Sequence, residues 1–216
     1  MYKTEQEEFW SGSFGDNYVE RNDGAELLAS NLYMFSNVFR NLSTQVTSVI
    51  EFGANIGANL EAIEKLLPKT SLSAIEINRK AAVLLKERIE KCEVYQGSIL
   101  EAEEKFGVGK TKKYDFVLIK GVLIHINPDE LESVYESLYR ASNKYICIAE
   151  YYNPSPIEID YRGYKNKLFK RDFAGEILKR YKDLSLVDYG FCYSGDLLFP
   201  MNDDITWFLL EKRGIN

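Results

Sequence analysis

The stretch Val49-Ile50-Glu51-Phe52-Gly53-Ala54-Asn55-Ile56-Gly57-Ala58-Asn59 reads as a strand that breaks into a glycine-bearing turn and then opens a helix. Glycine has no side chain and tolerates positive φ, so such a turn lets backbone N–H groups approach a ligand closely. A nucleotide-type cofactor, held where the strand ends, is implied.

Working outward, short apolar runs alternate with amphipathic segments from Val46 onward, the pattern of a parallel sheet flanked by helices. Strands are expected at 48–52, 72–77, 93–96, 114–119 and 145–150, with a final pair at 184–189 and 205–211. Helices are expected at 58–67, stopped by Pro68, and after the cap Asn78, with Ala81, Leu84, Leu85 and Ile89 on one side. Another should run from Asn127-Pro128-Asp129-Glu130, a cap with a first-turn proline and two acids, to about Arg140, and a last one over 171–181. Upstream, Leu28, Leu32, Phe35, Phe39 and Leu42 fall on one helix face, so residues 1–45 read as a helical cap on a core at 46–150. Residues 151–170, headed by Asn153-Pro154-Ser155-Pro156, are too polar and proline-marked for a core element and are expected to form a substrate lid ahead of the final strand pair.

The 216 residues, 45% hydrophobic, suit one domain, and neither a linker nor a repeat is visible. A formal charge of −6, with Lys and Arg interspersed among Glu and Asp, argues against a nucleic-acid binder and for a small-molecule or glycan substrate. No run approaches the ~18 apolar residues of a membrane helix, and the opening Met1–Glu8 lacks an apolar signal core, so a cytoplasmic protein without a membrane partner is expected. Cys92, Cys147 and Cys192 are far apart and suit free buried thiols; with a single histidine, no metal site is expected.

Two cofactor classes use such a turn. The dinucleotide fingerprint needs glycines at 53, 55 and 58, where the chain has Gly53, Asn55 and Ala58, which disfavours a nicotinamide-dependent oxidoreductase. An acid followed by spaced glycines, here Glu51, Gly53 and Gly57, resembles the class I S-adenosylmethionine-dependent methyltransferases. That resemblance implies a single Rossmann-like α/β domain, a mostly parallel seven-stranded sheet with a C-terminal antiparallel strand, S-adenosylmethionine as cofactor and S-adenosylhomocysteine as product. It also implies Glu51 near the methionine amino group, with Gly53, Ala54, Asn55 and Gly57 passing beneath the adenosine and methionine moieties. Asn55 stands where the pattern has glycine, and asparagine enters left-handed conformations readily. Glu76 ends the second apolar run, where an acid accepts from ribose hydroxyls, and Ile77 beside it can cover an adenine face. Gly97-Ser98-Ile99 follow the third strand, where the resembled class often has an acid for the adenine amino group; that contact falls to Ser98 here. Lys120 and Gly121 are implied to line the methionine end.

Beyond the cofactor half, Phe9-Trp10-Ser11-Gly12-Ser13-Phe14-Gly15-Asp16-Asn17-Tyr18, with Arg21-Asn22, resembles the opening of the pseudaminic acid biosynthesis-associated methylase family. The resemblance returns at Gly121–Pro128, Glu150–Pro154, Tyr161–Gly163, Lys170–Ala174 and Asp204–Phe208, and so covers nearly the whole chain. It implies a role beside the pathway of nonulosonic sugars for bacterial surface or flagellin glycans.

Methyl transfer is an in-line displacement, so the protein must chiefly align the acceptor and supply a base if the acceptor is a hydroxyl or protonated amine. His125, the only histidine, follows the fourth strand and is the candidate base, the alternative being a structural hydrogen bond that fixes its loop. Tyr151 is a second catalytic candidate. Tyr152, Asn153, Tyr161, Arg162 and Arg171 form a set suited to a polar ring bearing a carboxylate or phosphate, or else a packed loop with surface arginines. Phe9, Trp10, Phe14 and Tyr18 suit a segment folded over the site, or equally a hydrophobic clasp, with Tyr18 and Arg21 as preferred ligand contacts. A non-catalytic binding protein on the same fold is the rival reading.

Overall fold

The computed structural model describes residues 2–19 and 25–213. Three helices precede the sheet: α1 (Glu5–Ser11), α2 (Ser13–Val19) and α3 (Ala25–Phe39). A capping box starts α1, with Thr4 and Glu7 each accepting from the other's backbone N–H. Alternating strands and helices follow: β1 (Ser48–Phe52), α4 (Ala58–Leu66), β2 (Ser71–Glu76), α5 (Arg79–Arg88), β3 (Glu93–Gln96), α6 (Ala102–Phe106), β4 (Tyr114–Lys120), α7 (Leu131–Ala141) and β5 (Ser142–Glu150). The chain ends with the hairpin β6 (Ile157–Tyr161) and β7 (Tyr164–Lys170), α8 (Phe173–Arg180), β8 (Leu184–Cys192) and β9 (Ile205–Lys212).

Seven strands form one sheet in the order β3-β2-β1-β4-β5-β9-β8, parallel throughout except that β9 runs antiparallel to both β5 and β8. Successive residues of the central strands feed opposite faces: Val49, Phe116 and Leu118 pack with Phe35, Leu60 and Leu85, whereas Ile50, Val117 and Ile119 pack with Leu131, Leu138 and Ile177. Burial on both faces is why these strands read as mostly apolar runs rather than alternating ones. From β1 the chain winds outward to β2 and β3 and then crosses back to place β4 on the other side of β1, and this reversal opens a crevice at the carboxyl ends of the strands. Cys92, Cys147 and Cys192 are free, buried thiols.

The segment 151–170 differs from its expectation. Ile157, Ile159 and Tyr161 alternate with polar residues, and Arg162 and Gly163 both take positive φ (54° and 86°), the geometry of a two-residue hairpin turn. Leu168 and Phe169 are buried, so β7 packs onto the domain even though the segment as a whole is polar. Pairing within the sheet also carries β5 three residues upstream and β8 three residues beyond their expected bounds. No helix among the described residues is long and apolar enough to cross a membrane.

Candidate active site

The turn after β1 holds three left-handed residues in five: Gly53 (φ 77°), Asn55 (φ 48°) and Gly57 (φ 81°). A Cβ on Gly53 would lie 2.5 Å from Cγ2 of Val122 in the neighbouring turn, so glycine is required there by both conformation and space. The turn's amides are committed internally: Gly53 and Ala54 donate to the Ile75 carbonyl (2.8 and 3.1 Å), Gly57 donates to the Ala54 carbonyl (2.9 Å), and Asn55 N donates to Glu76 Oε2 (2.7 Å). The N–H groups at these four positions, which the glycine turn was expected to bring close to a ligand, are hydrogen-bonded within the fold. Glu76 Oε1 accepts from Asn78 N (2.7 Å). Burial pushes this carboxyl above the usual range, against the pull of the three backbone N–H groups of Asn78, Asn55 and Ile77.

A cavity of about 220 Å³ runs along the strand tips. Gly53, Ala54, Asn55, Glu76, Ile77, Ser98, Ile99, Lys120, Gly121, His125, Tyr151, Tyr161 and Tyr18 all line it, so thirteen of the sequence candidates, drawn from six separate segments, converge. Glu51 lies beneath this wall, fully buried, with Oε1 accepting from Asn59 Nδ2 at 2.6 Å. Burial raises its pKa, and the Asn59 hydrogen bond and the Lys120 charge oppose the shift. Lys120 moves downward for the same reason, opposed first by the charge of Glu51. Gly57 and Gly97 shape their turns without lining the cavity; a Cβ on Gly97 would meet Phe106 Cζ at 2.8 Å.

Four expected substrate contacts are placed elsewhere. Tyr152 is exposed against Phe208, Asn153 Nδ2 donates to the Ser155 carbonyl, and Arg162 lies at the hairpin tip over the Tyr161 ring (5.7 Å). Arg171 pairs with Glu176 at 3.3 Å. Local pairing and the hairpin turn consume these side chains, and none lines the cavity. Arg21 lies outside the described residues.

Ser98 is buried on the cavity wall, but its hydroxyl donates to Glu7 Oε1 and accepts from Leu100 N (3.1 Å). A carboxylate thus does stand at the third strand's tip, delivered by α1. The Thr4–Glu7 spacing marks a capping box in the sequence, yet nothing local reveals the reach across to Ser98. Trp10 brings the same N-terminal segment over His125 (ring centroids 4.6 Å apart), and Tyr161 flanks the imidazole from the hairpin (4.8 Å). His125 Nδ1 faces the Lys167 carbonyl at 2.5 Å. A carbonyl only accepts, so the proton sits on Nδ1 and Nε2 is the basic nitrogen. Burial lowers the pKa to about 4, against the Lys167 hydrogen bond, which keeps the ring neutral near pH 7. Tyr151 is shifted far upward by burial and by its hydrogen bond to Asp203.

Glu150, at the tip of β5, escaped the sequence reading as a site residue. Its Oε1 accepts from Val122 N and Leu123 N (2.9 Å each), fixing the turn that carries His125, while Oε2 has no partner among the described residues. Burial raises its pKa to about 7, against those backbone hydrogen bonds and the Lys120 charge. The folded state therefore holds a proton that the unfolded chain has released between about pH 4.5 and 7, and this group's contribution to stability declines as pH rises through that window. Glu150→Gln is expected to remove a decline on the order of 2 kcal/mol from urea unfolding measured at pH 5 and pH 8. His125, neutral in the fold with pKa about 4, acts with the opposite sign between about pH 4 and 6.5, while the buried carboxyls of Glu51 and Glu76, also raised, act with the same sign as Glu150, so the prediction is read as the difference between variant and wild type.

The sheet order and its reversal give this chain the Rossmann-like fold of solved S-adenosylmethionine-dependent methyltransferases. Several solved structures share it along nearly the whole chain. The plantazolicin methyltransferase BpumL in complex with S-adenosylhomocysteine is 17% identical, with a TM-score of 0.64 over 96% of this chain and 94% of its own. Magnesium protoporphyrin IX methyltransferase (ChlM) from Synechocystis PCC 6803, with bound S-adenosylmethionine, is 10% identical, with a TM-score of 0.65 over 98% and 99%. The Burkholderia thailandensis 1,6-didemethyltoxoflavin N1-methyltransferase is 14% identical, with a TM-score of 0.66 over 96% and 87%. No protein-family profile matches the sequence, and no curated protein matches it.

Proposed function

We propose that this chain is an S-adenosylmethionine-dependent methyltransferase that acts on a small polar acceptor. The observation that carries the reading is the Glu76 carboxylate, tied to the glycine turn at the sheet's reversal and lining a cavity that spans the strand tips. Glu76 would hold the ribose hydroxyls, Ile77 would cover the adenine, and Glu7 with Ser98 would meet its amino edge. When bound, S-adenosylmethionine supplies an electrophilic methyl group on a sulfonium. The chain's own residues then bring the acceptor into line from the β4 and β5 side, where His125 and Tyr151 line the cavity and Tyr161 of the hairpin lies beside the His125 ring. Trp10 and Tyr161 exclude water around His125, whose Nε2 takes the proton that an acceptor hydroxyl or amine sheds as its bond to the methyl carbon forms.

The acceptor we infer is a nonulosonic sugar, its precursor or a surface glycan. The stretches from Phe9–Tyr18 to Asp204–Phe208 that resemble the pseudaminic acid-associated methylases support this choice. Calorimetric titration with S-adenosylmethionine and, separately, with NAD tests the cofactor. Saturable binding of the former alone supports the reading; binding of NAD instead overturns it, and binding of neither favours a protein that has kept only the fold. Mass spectrometry of candidate sugars after incubation with S-adenosylmethionine, read for the gain of one methyl group, tests the acceptor.

A further inference from the structure

Asn31 lies within α3, fully buried, and neither its Oδ1 nor its Nδ2 has a hydrogen-bond partner among the described residues. It lines the cavity. A buried amide left unpaired at both ends is destabilising, and such groups in native folds call for an explanation. Asn59, in the first turn of α4, lines the same cavity, and α3 packs against α4. The Asn59 Nδ2 bond to Glu51 fixes that amide's orientation and leaves Oδ1 buried without a partner. Lys120, at the end of β4, adds an ammonium in the field of Glu51.

This wall therefore offers one cation, one amide donor and two neutral acceptors. A matching ligand group carries an anion and a cation with several donors side by side, as an α-amino acid does. An uncharged polyol brings no anion for Lys120, and a simple carboxylate leaves both acceptors empty.

We propose that Asn31, Asn59 and Lys120 recognise the amino-acid head of the cofactor, a step that rests on the methyltransferase reading above. Asn31 Nδ2 and Lys120 Nζ donate to the carboxylate, and Asn31 Oδ1 and Asn59 Oδ1 accept from the ammonium. α3 thus contributes a contact specific to the head group and absent from the glycine turn.

The test compares S-adenosylhomocysteine with 5′-methylthioadenosine, which keeps the nucleoside and thioether and lacks the amino acid, by calorimetry on wild type and Asn31→Leu. The expected result is a loss of about tenfold or more for S-adenosylhomocysteine with a change of less than about twofold for 5′-methylthioadenosine, as loss of hydrogen bonds to charged groups predicts. Retained binding of the latter also shows that the variant folds. Equal losses for both ligands, or no loss for either, overturn the proposal while leaving the methyltransferase reading intact. A wild type that binds neither ligand overturns both together.

Discussion

Glu76→Ala is expected to weaken S-adenosylhomocysteine binding about a hundredfold or more. Two ribose hydroxyls donating to one buried carboxylate are each worth about 1.5–3 kcal/mol, and the loss of both amounts to at least two decades in affinity. The same carboxylate anchors Asn55 N and Asn78 N, so the variant also loosens the glycine turn. Two effects oppose each other in stability: two amides lose their acceptor, while a carboxylate held above its usual pKa by burial is removed. Thermal unfolding should therefore change far less than binding does. Glu76→Gln is a sharper probe, because its single oxygen can serve only one of the two amides and its NH₂ must face the other. Calorimetry on both variants decides the matter; wild-type affinity in Glu76→Ala would show that the ribose is held elsewhere.

Trp10→Ala has the second largest expected effect. Trp10 makes edge contacts with Phe9, Phe14 and Tyr18 and covers the His125 imidazole, so it joins the N-terminal helices to the cavity. Removing a partly buried indole should cost about 2–3 kcal/mol of stability, less than the full burial value. The larger signal is electrostatic. Burial is the first cause of the depressed pKa of His125, so opening its cover should raise that pKa from about 4 by roughly a unit or more toward its ordinary value. The chain has a single histidine, so one imidazole resonance reports the titration directly in the full protein. A pKa that stays near 4 in the variant would mean that the Lys167 segment and the hairpin, rather than the N-terminal helices, keep the ring dry.

Much of this architecture was legible in the residues because the features involved are local. The apolar runs at 116–119 and 145–149 announce strands covered on both faces, and Asn78 and Asn127 announce helix starts. Glu51, Gly53 and Gly57 are spaced by the turn itself, and Glu76 is placed by the end of its own strand. The hairpin at 157–170 was less visible. Its apolar residues alternate with charges, and its turn is made by Arg162 and Gly163 rather than by an Asn-Gly pair.

The sequence by itself determined which segments become strands and helices, where the glycine turn falls, and that acids stand at the tips of β1 and β2, since each depends on neighbours within a few residues. Only the tertiary structure decided which side chains share the cavity. Glu7 reaches Ser98 across 91 positions, Trp10 covers His125, Asn31 comes to lie on the same wall as Asn59, and Arg162 and Arg171 are drawn away by partners of their own. Such meetings are set by the packing of whole elements around one core, and periodicity along the chain carries no record of them.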